Sequence, residues 1–172
     1  MKRILILVIW ILSCATISAQ SDTSNAPDNN PWIQKGPKGD DPQTQYTDKY
    51  IKDASKVALN WLNNINNNHY GSAYHLLTNQ HKTRIKEKTW ASLIDEFMKE
   101  LGLFQSRVAI NKYFTSEIEG KESGFYVFIE YKSAYERTKY FTDFLLLKQN
   151  DESEWEIDEW NYEWQFIKGT ED

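Results

Sequence analysis

The spacing of apolar residues changes at Gly102, and that change constrains the fold more than any other feature. Before it, apolar side chains recur every third or fourth residue. Ala54, Val57, Ala58, Trp61, Leu62 and Ile65 form one stripe, and Trp90, Leu93, Ile94, Phe97, Met98 and Leu101 repeat the same offsets. Such a stripe is one face of an amphipathic helix. After Gly102 the period is two. Phe125, Val127, Ile129 and Tyr131 alternate with Tyr126, Phe128, Glu130 and Lys132, as expected of strands.

Thr47 or Asp48 is the expected cap of the first helix, and "NNN" at 66–68 its end, because Asn tolerates the left-handed conformation. A short second helix carries Tyr70, Ala73, Tyr74 and Leu77. The stretch 78–88 is basic and less regular, with a helical turn expected around Ile85. The next helix ends at Gly102, where a C-terminal cap favours glycine. Four strands follow near 104–114, 124–135, 139–148 and 154–162, separated by turn-like breaks such as "EGKESG" and "NDESE". About three helices followed by a run of strands predicts an α+β fold, with the helices packed on one face of a four-stranded antiparallel meander sheet.

The ends of the chain read differently. Lys2 and Arg3 precede the apolar run "ILILVIWIL" and then "SCATISAQ", the layout of a secretory signal peptide. That run is shorter than the roughly 20 apolar residues of a membrane span, so no transmembrane span is expected in the mature chain. Two processing routes stand open. Cleavage between Ala19 and Gln20 gives an exported, periplasmic or secreted protein without a thiol. Alternatively "ILSC" acts as a lipobox, and Cys14, the single cysteine, becomes the lipid anchor of a membrane-bound lipoprotein. Residues 1–19 are therefore the leader and 20–45 a disordered tether, which holds all four prolines and few apolar groups. Residues 46–168 form a single α+β domain and 169–172 a tail.

Charge excludes one partner class. Removing Lys2 and Arg3 leaves 18 basic against 25 acidic residues. Phosphate contacts need Lys and Arg, so no nucleic acid is expected.

"ASKVALNWLNNINNNHYGSAY", Trp90, "LGLFQSR", "GFYVFIEYKSAY" and "WEIDEWNY" occur in that order. With them the chain resembles a family of exported bacterial proteins catalogued as a domain of unknown function. The resemblance covers about residues 54–162. It implies a cystatin-like, nuclear-transport-factor-like cone, with helices wrapped by a curved sheet. The family usually carries Asp and Gly where this chain has Asn66 and Asn68, and Trp where it has Tyr74. Arg-x-Pro is usual where Met98, Lys99 and Glu100 stand, whereas Arg107 matches. No reaction is implied.

No coherent catalytic set emerges from the residues. His69, His75 and His81 are six apart, about 600° of helical rotation, so they do not share a face; no metal is expected. Glu154, Glu156 and Asp158 line one strand face and read as solvated. Trp160, Tyr162 and Trp164 either close the core or form a binding strip. No Gly-rich phosphate loop and no nucleophile elbow is present, and no cofactor is implied.

Two functions from different classes follow. In the first, a non-catalytic binding module of the cell envelope meets an unknown envelope protein, or a second copy of itself, through an aromatic sheet face of Tyr126, Phe128, Tyr140 and Phe144. In the second, a small ligand, or the substrate of an isomerase or dehydratase, enters an interior pocket of Tyr74, Trp90, Phe97, Tyr131 and Trp160, with Glu130 turned inward as acid or base.

Overall fold

The computed structural model describes residues 42–167. The expected leader, its Cys14 and Ala19–Gln20 processing sites, the tether up to residue 41 and the tail at 169–172 lie outside the described residues.

Helix α1 (Pro42–Asn66) starts earlier than the sequence pattern suggests. Thr47 and Asp48 lie inside it rather than at its cap. Pro42 takes the first position, where the missing N–H has no helical partner to lose. The helix buries Ala54, Ala58, Trp61, Leu62 and Ile65, the expected stripe with Val57 at its margin. It ends as expected. Asn68 adopts φ 60°, and Asn67 N–H and Nδ2 both donate to the Asn63 carbonyl.

Two short helices follow, α2 (Tyr70–His75) and α3 (Asn79–Arg84), then α4 (Glu87–Leu101). The basic stretch therefore holds a helix that ends one residue before Ile85. Helix α4 buries Trp90, Ile94, Met98 and Leu101. Gly102 closes it at φ 76°, and a Cβ there would stand 2.8 Å from Glu136 Oε2.

The strands are β1 (Phe104–Thr115), β2 (Tyr126–Tyr135), β3 (Thr138–Gln149) and β4 (Trp155–Phe166). They form an open antiparallel sheet in the order β1-β2-β3-β4. The fold is thus α+β, with four helices among the described residues where about three were expected, two of them only six residues long. Odd-numbered residues of β2 and β3 face the helices, and Val127, Ile129, Tyr131, Phe141, Leu145 and Leu147 are buried there. Helix α1 contacts all four strands.

Strand β4 changes phase midway. Leu147 pairs with Ile157 and Leu146 with Glu159, so Asp158 is an extra residue. This β-bulge brings Trp160 and Tyr162 to the same face as Trp155 and Ile157. The bulge is fastened from outside the sheet. Leu77 forms a parallel bridge with Ile157, Ile157 N–H donates to Leu76 O, and Thr78 N–H donates to Ile157 O. His81 Nε2 bonds the Asp158 carbonyl. That is the role of the one His in the corner region that reaches across the fold.

Candidate functional site

The densest polar chemistry lies under the helices, on the inner face of the sheet. Register creates it. Arg107 of β1 lies opposite Ser133 of β2, and Asp143 of β3 lies opposite Tyr131 of β2. Each occupies a position that alternation reserves for the core. Asp143 is completely buried and the Arg107 side chain only 5% exposed. Arg107 Nε lies 3.3 Å from Asp143 Oδ2 and donates to Ser133 Oγ at 2.8 Å. Ser133 Oγ donates to the same carboxylate oxygen at 2.5 Å, and Trp160 Nε1 donates to Oδ1 at 3.0 Å. Arg107 Nη2 donates to Tyr135 Oη at 2.9 Å, and that hydroxyl donates to Asn66 Oδ1 at 3.2 Å. The Phe104 ring covers the guanidinium at 4.8 Å.

The chain of bonds runs from α1 through β2 and β1 to β3 and β4. It neutralises both charges internally, as buried ions require. Asp143 receives three donors, so neither oxygen is left as a free base toward a ligand. Burial pushes the Tyr131 and Tyr135 hydroxyls up to about 12; Arg107 opposes that shift and Asp143 adds to it. Tyr131 Oη, Trp61 Nε1 and Asn66 Nδ2 are buried without a hydrogen-bond partner among the described residues.

The five expected pocket residues belong to one aromatic core. Tyr74 Oη donates to the Ile85 carbonyl at 2.8 Å, and its ring lies 5.7 Å from Trp90. Trp61 links Trp90 at 6.4 Å to Trp160 at 5.1 Å. Phe97 lies 5.9 Å from Trp160 and stacks on Tyr162 at 4.5 Å. Tyr131 stands beside Asp143. Glu130 does not turn inward: it pairs with Asn111 and Phe144 on the outer face. A cleft of about 770 Å³ lies elsewhere, lined by Thr78, Lys121, Tyr126, Lys148 and Asp158 among others, and none of the five reaches it.

The outer face divides into a covered and an open part. Tyr126 is only 1% exposed, because the β1–β2 loop folds over it. Its hydroxyl donates to the Glu122 carbonyl at 2.8 Å, Lys148 pairs with Glu122, and Lys121 reaches Asp158 at 2.7 Å and Glu159 at 2.5 Å. Burial works against the Lys121 charge, and the two carboxylates more than offset it, so its pKa is raised. Phe128 and Phe144 are half-buried and Tyr140 is exposed. Tyr113, which the sequence reading did not single out, stacks on Phe128 at 5.0 Å, and Phe128 neighbours Phe144 at 6.2 Å.

Arg107 and Asp143 were also missed as a pair. Their signal is a lone charge at a core parity, Asp143 between Phe141 and Leu145. Among the described residues no helix is long and apolar enough to cross a membrane, and no group of three His, Cys, Asp or Glu is placed to hold a metal.

No curated protein and no solved structure matches the chain. A family does, over residues 57–159, from within α1 to just past the β4 bulge. That span is more than half of the sequence and contains Arg107, Ser133 and Asp143, and the chain accordingly belongs to the family described as "Protein of unknown function (DUF4019)".

Proposed function

We propose that this protein is an exported, non-catalytic binding module of the cell envelope, built as a cystatin-like or nuclear-transport-factor-like cone, whose outer sheet face receives a partner protein. One observation carries the reading. The rings of Tyr113, Phe128 and Phe144 form a continuous row on the face opposite the helices, and no described element covers them. An antiparallel sheet ordinarily keeps such a face polar, and a contiguous apolar patch marks an interaction site. The interior supports the same reading from the other side, since the buried Arg107–Asp143 pair is consumed by its own hydrogen bonds.

A photo-crosslinking residue in place of Phe128, introduced in the native host, tests this. Adducts are expected at position 128 and not at Lys56 on the exposed side of α1. An adduct of twice the chain mass identifies a homodimer through the sheet. Equal labelling at both positions contradicts the proposal. Intact mass of the same material reads the processing route, a Gln20 start or a lipidated Cys14.

A second reading, a small ligand inside the fold, draws on the partnerless Tyr131 Oη, Trp61 Nε1 and Asn66 Nδ2. Native mass spectrometry tests it: a retained small mass, lost on denaturation, would move it ahead.

A further inference from the structure

Strand β4 is an edge strand, and among the described residues its outer side is occupied only at the bulge, by the Leu77 bridge to Ile157. Beyond it, residues 159–166 pair with β3 on one side and, among the described residues, with no strand on the other. The other edge, β1, is interrupted by two register shifts, around Gln105 and Ile110. Bulges of that kind blunt an edge against further pairing. In β4 the eight residues after Asp158 run without an interruption until Phe166.

The side chains along this run alternate in chemistry. On the inner face Trp160, Tyr162, Trp164 and Phe166 form a ladder, with successive rings 5.0, 5.3 and 6.3 Å apart. The ladder emerges from the core, so that Trp164 and Phe166 are each 38% exposed. On the outer face stand Glu159, Asn161, Glu163 and Gln165. From Glu154 to Ile167 the sequence has three more carboxylates, Glu154, Glu156 and Asp158, and not one Lys or Arg. Lys121 compensates Asp158 and Glu159, whereas Glu163 is exposed and has no ion pair among the described residues.

We infer that the open edge of β4, residues 159–166, is a strand-addition site for an extended polypeptide segment that alternates apolar and basic residues. Main-chain hydrogen bonds along the edge supply affinity, and side chains at alternate positions supply selection. Apolar residues of the added strand lie beside Trp164 and Phe166 on the inner face, and its basic residues fall beside Glu163 on the other. The charge also selects against self-pairing. An antiparallel β4–β4 contact centred on Asn161 sets Glu159 opposite Glu163, and like charges directly opposed are destabilising. The chain already uses this edge once, through Leu76 and Thr78. The surface is the rim of the sheet rather than its outer face, so it stands whether or not the Phe128 row binds a partner.

The test uses the intact chain and a synthetic eight-residue peptide alternating valine and lysine. The expected result is saturable binding that protects amides of residues 159–166 from hydrogen exchange and leaves β1 unprotected. The same peptide N-methylated at alternate backbone nitrogens is expected to bind about tenfold more weakly or worse, a loss of about 1.4 kcal/mol. Glu163→Lys, at an exposed position, is expected to weaken binding about fivefold with an unchanged melting temperature. Three results would each overturn the inference: undiminished binding of the N-methylated peptide, equal binding of a valine–glutamate peptide, or protection confined to other elements. Sedimentation of the chain alone is expected to give no β4-dependent association. Oligomers of the chain alone that protect the amides of residues 159–166 from hydrogen exchange would make a second copy the occupant and sink the peptide proposal.

Discussion

Replacing Arg107 by Met removes a cation while keeping an unbranched side chain of similar length. Asp143 then stays fully buried with Ser133 and Trp160 as its donors and no compensating charge. Tyr135 also loses the donor to its hydroxyl. Stripping one partner from a buried ion pair costs about 3–5 kcal/mol, a large share of the roughly 5–15 kcal/mol that holds a domain together. With a urea slope of about 1–3 kcal/mol per molar, the midpoint falls by about 2 M. The double variant Arg107→Met/Asp143→Leu removes both charges and leaves only neutral orphans at Ser133, Tyr135 and Trp160. It is expected to be more stable than Arg107→Met alone, with a coupling of at least about 2 kcal/mol. Urea unfolding followed by tryptophan fluorescence measures all three proteins, and Trp160 reports from within the network. A loss under about 1 kcal/mol in the single variant, or simple additivity in the double, would refute a sealed ion pair.

Other perturbations separate neighbouring roles. Tyr131→Phe removes a hydroxyl without a protein partner and is expected to be neutral or to stabilise by about 1 kcal/mol, in the same unfolding assay. Tyr131 and Tyr135 titrate at about 12 in the fold against about 10 unfolded. Their contribution is therefore complete below about pH 10 and is lost as pH rises toward 12, and Tyr131→Phe lessens that loss, as absorbance at 295 nm and circular dichroism would show. Trp61→Ala and Trp90→Ala are each expected to cost about 3–5 kcal/mol, and the exposed His75→Ala within about 0.5 kcal/mol; the reverse order of unfolding midpoints contradicts the helix faces. Deleting Asp158 turns Trp160 and Tyr162 outward and parts Trp160 from Asp143, so the near-ultraviolet circular dichroism of the native fold should vanish.

Local pattern carried the fold. The two helical stripes, the Asn end of α1, the Gly102 cap and the inward parity of β2 all follow from nearest-neighbour spacing, and the structure places them accordingly. The start of α1 escaped notice because residues 42–45 add nothing to an apolar stripe. The β4 bulge was legible but unread: apolar positions fall at 155 and 157, then at 160, 162 and 164, and only an extra residue reconciles those parities. Burial of Tyr126 depends on a loop folding back, which alternation does not encode. The Arg107–Asp143 pair joins residues 36 apart through β2, which separates their strands, so it needs two registers at once. The signal for it was a single charge at each of two core positions.

The contact that closes the β4 bulge also bears on how the chain folds. Each strand pairs with its neighbour in sequence, so the sheet assembles from short-range hairpins, the connections that form fastest. His81 and Asp158 are 77 residues apart, and bringing them together closes one of the longest loops in the domain, at an entropic cost that grows with loop length. The Leu76–Thr78 connector is therefore expected to form late, as a latch that joins the sheet to the helical half. It is also a sensor of partial opening: exchange at the Ile157 amide, bonded to Leu76, reports the release of the helices from β4 without the sheet itself coming apart.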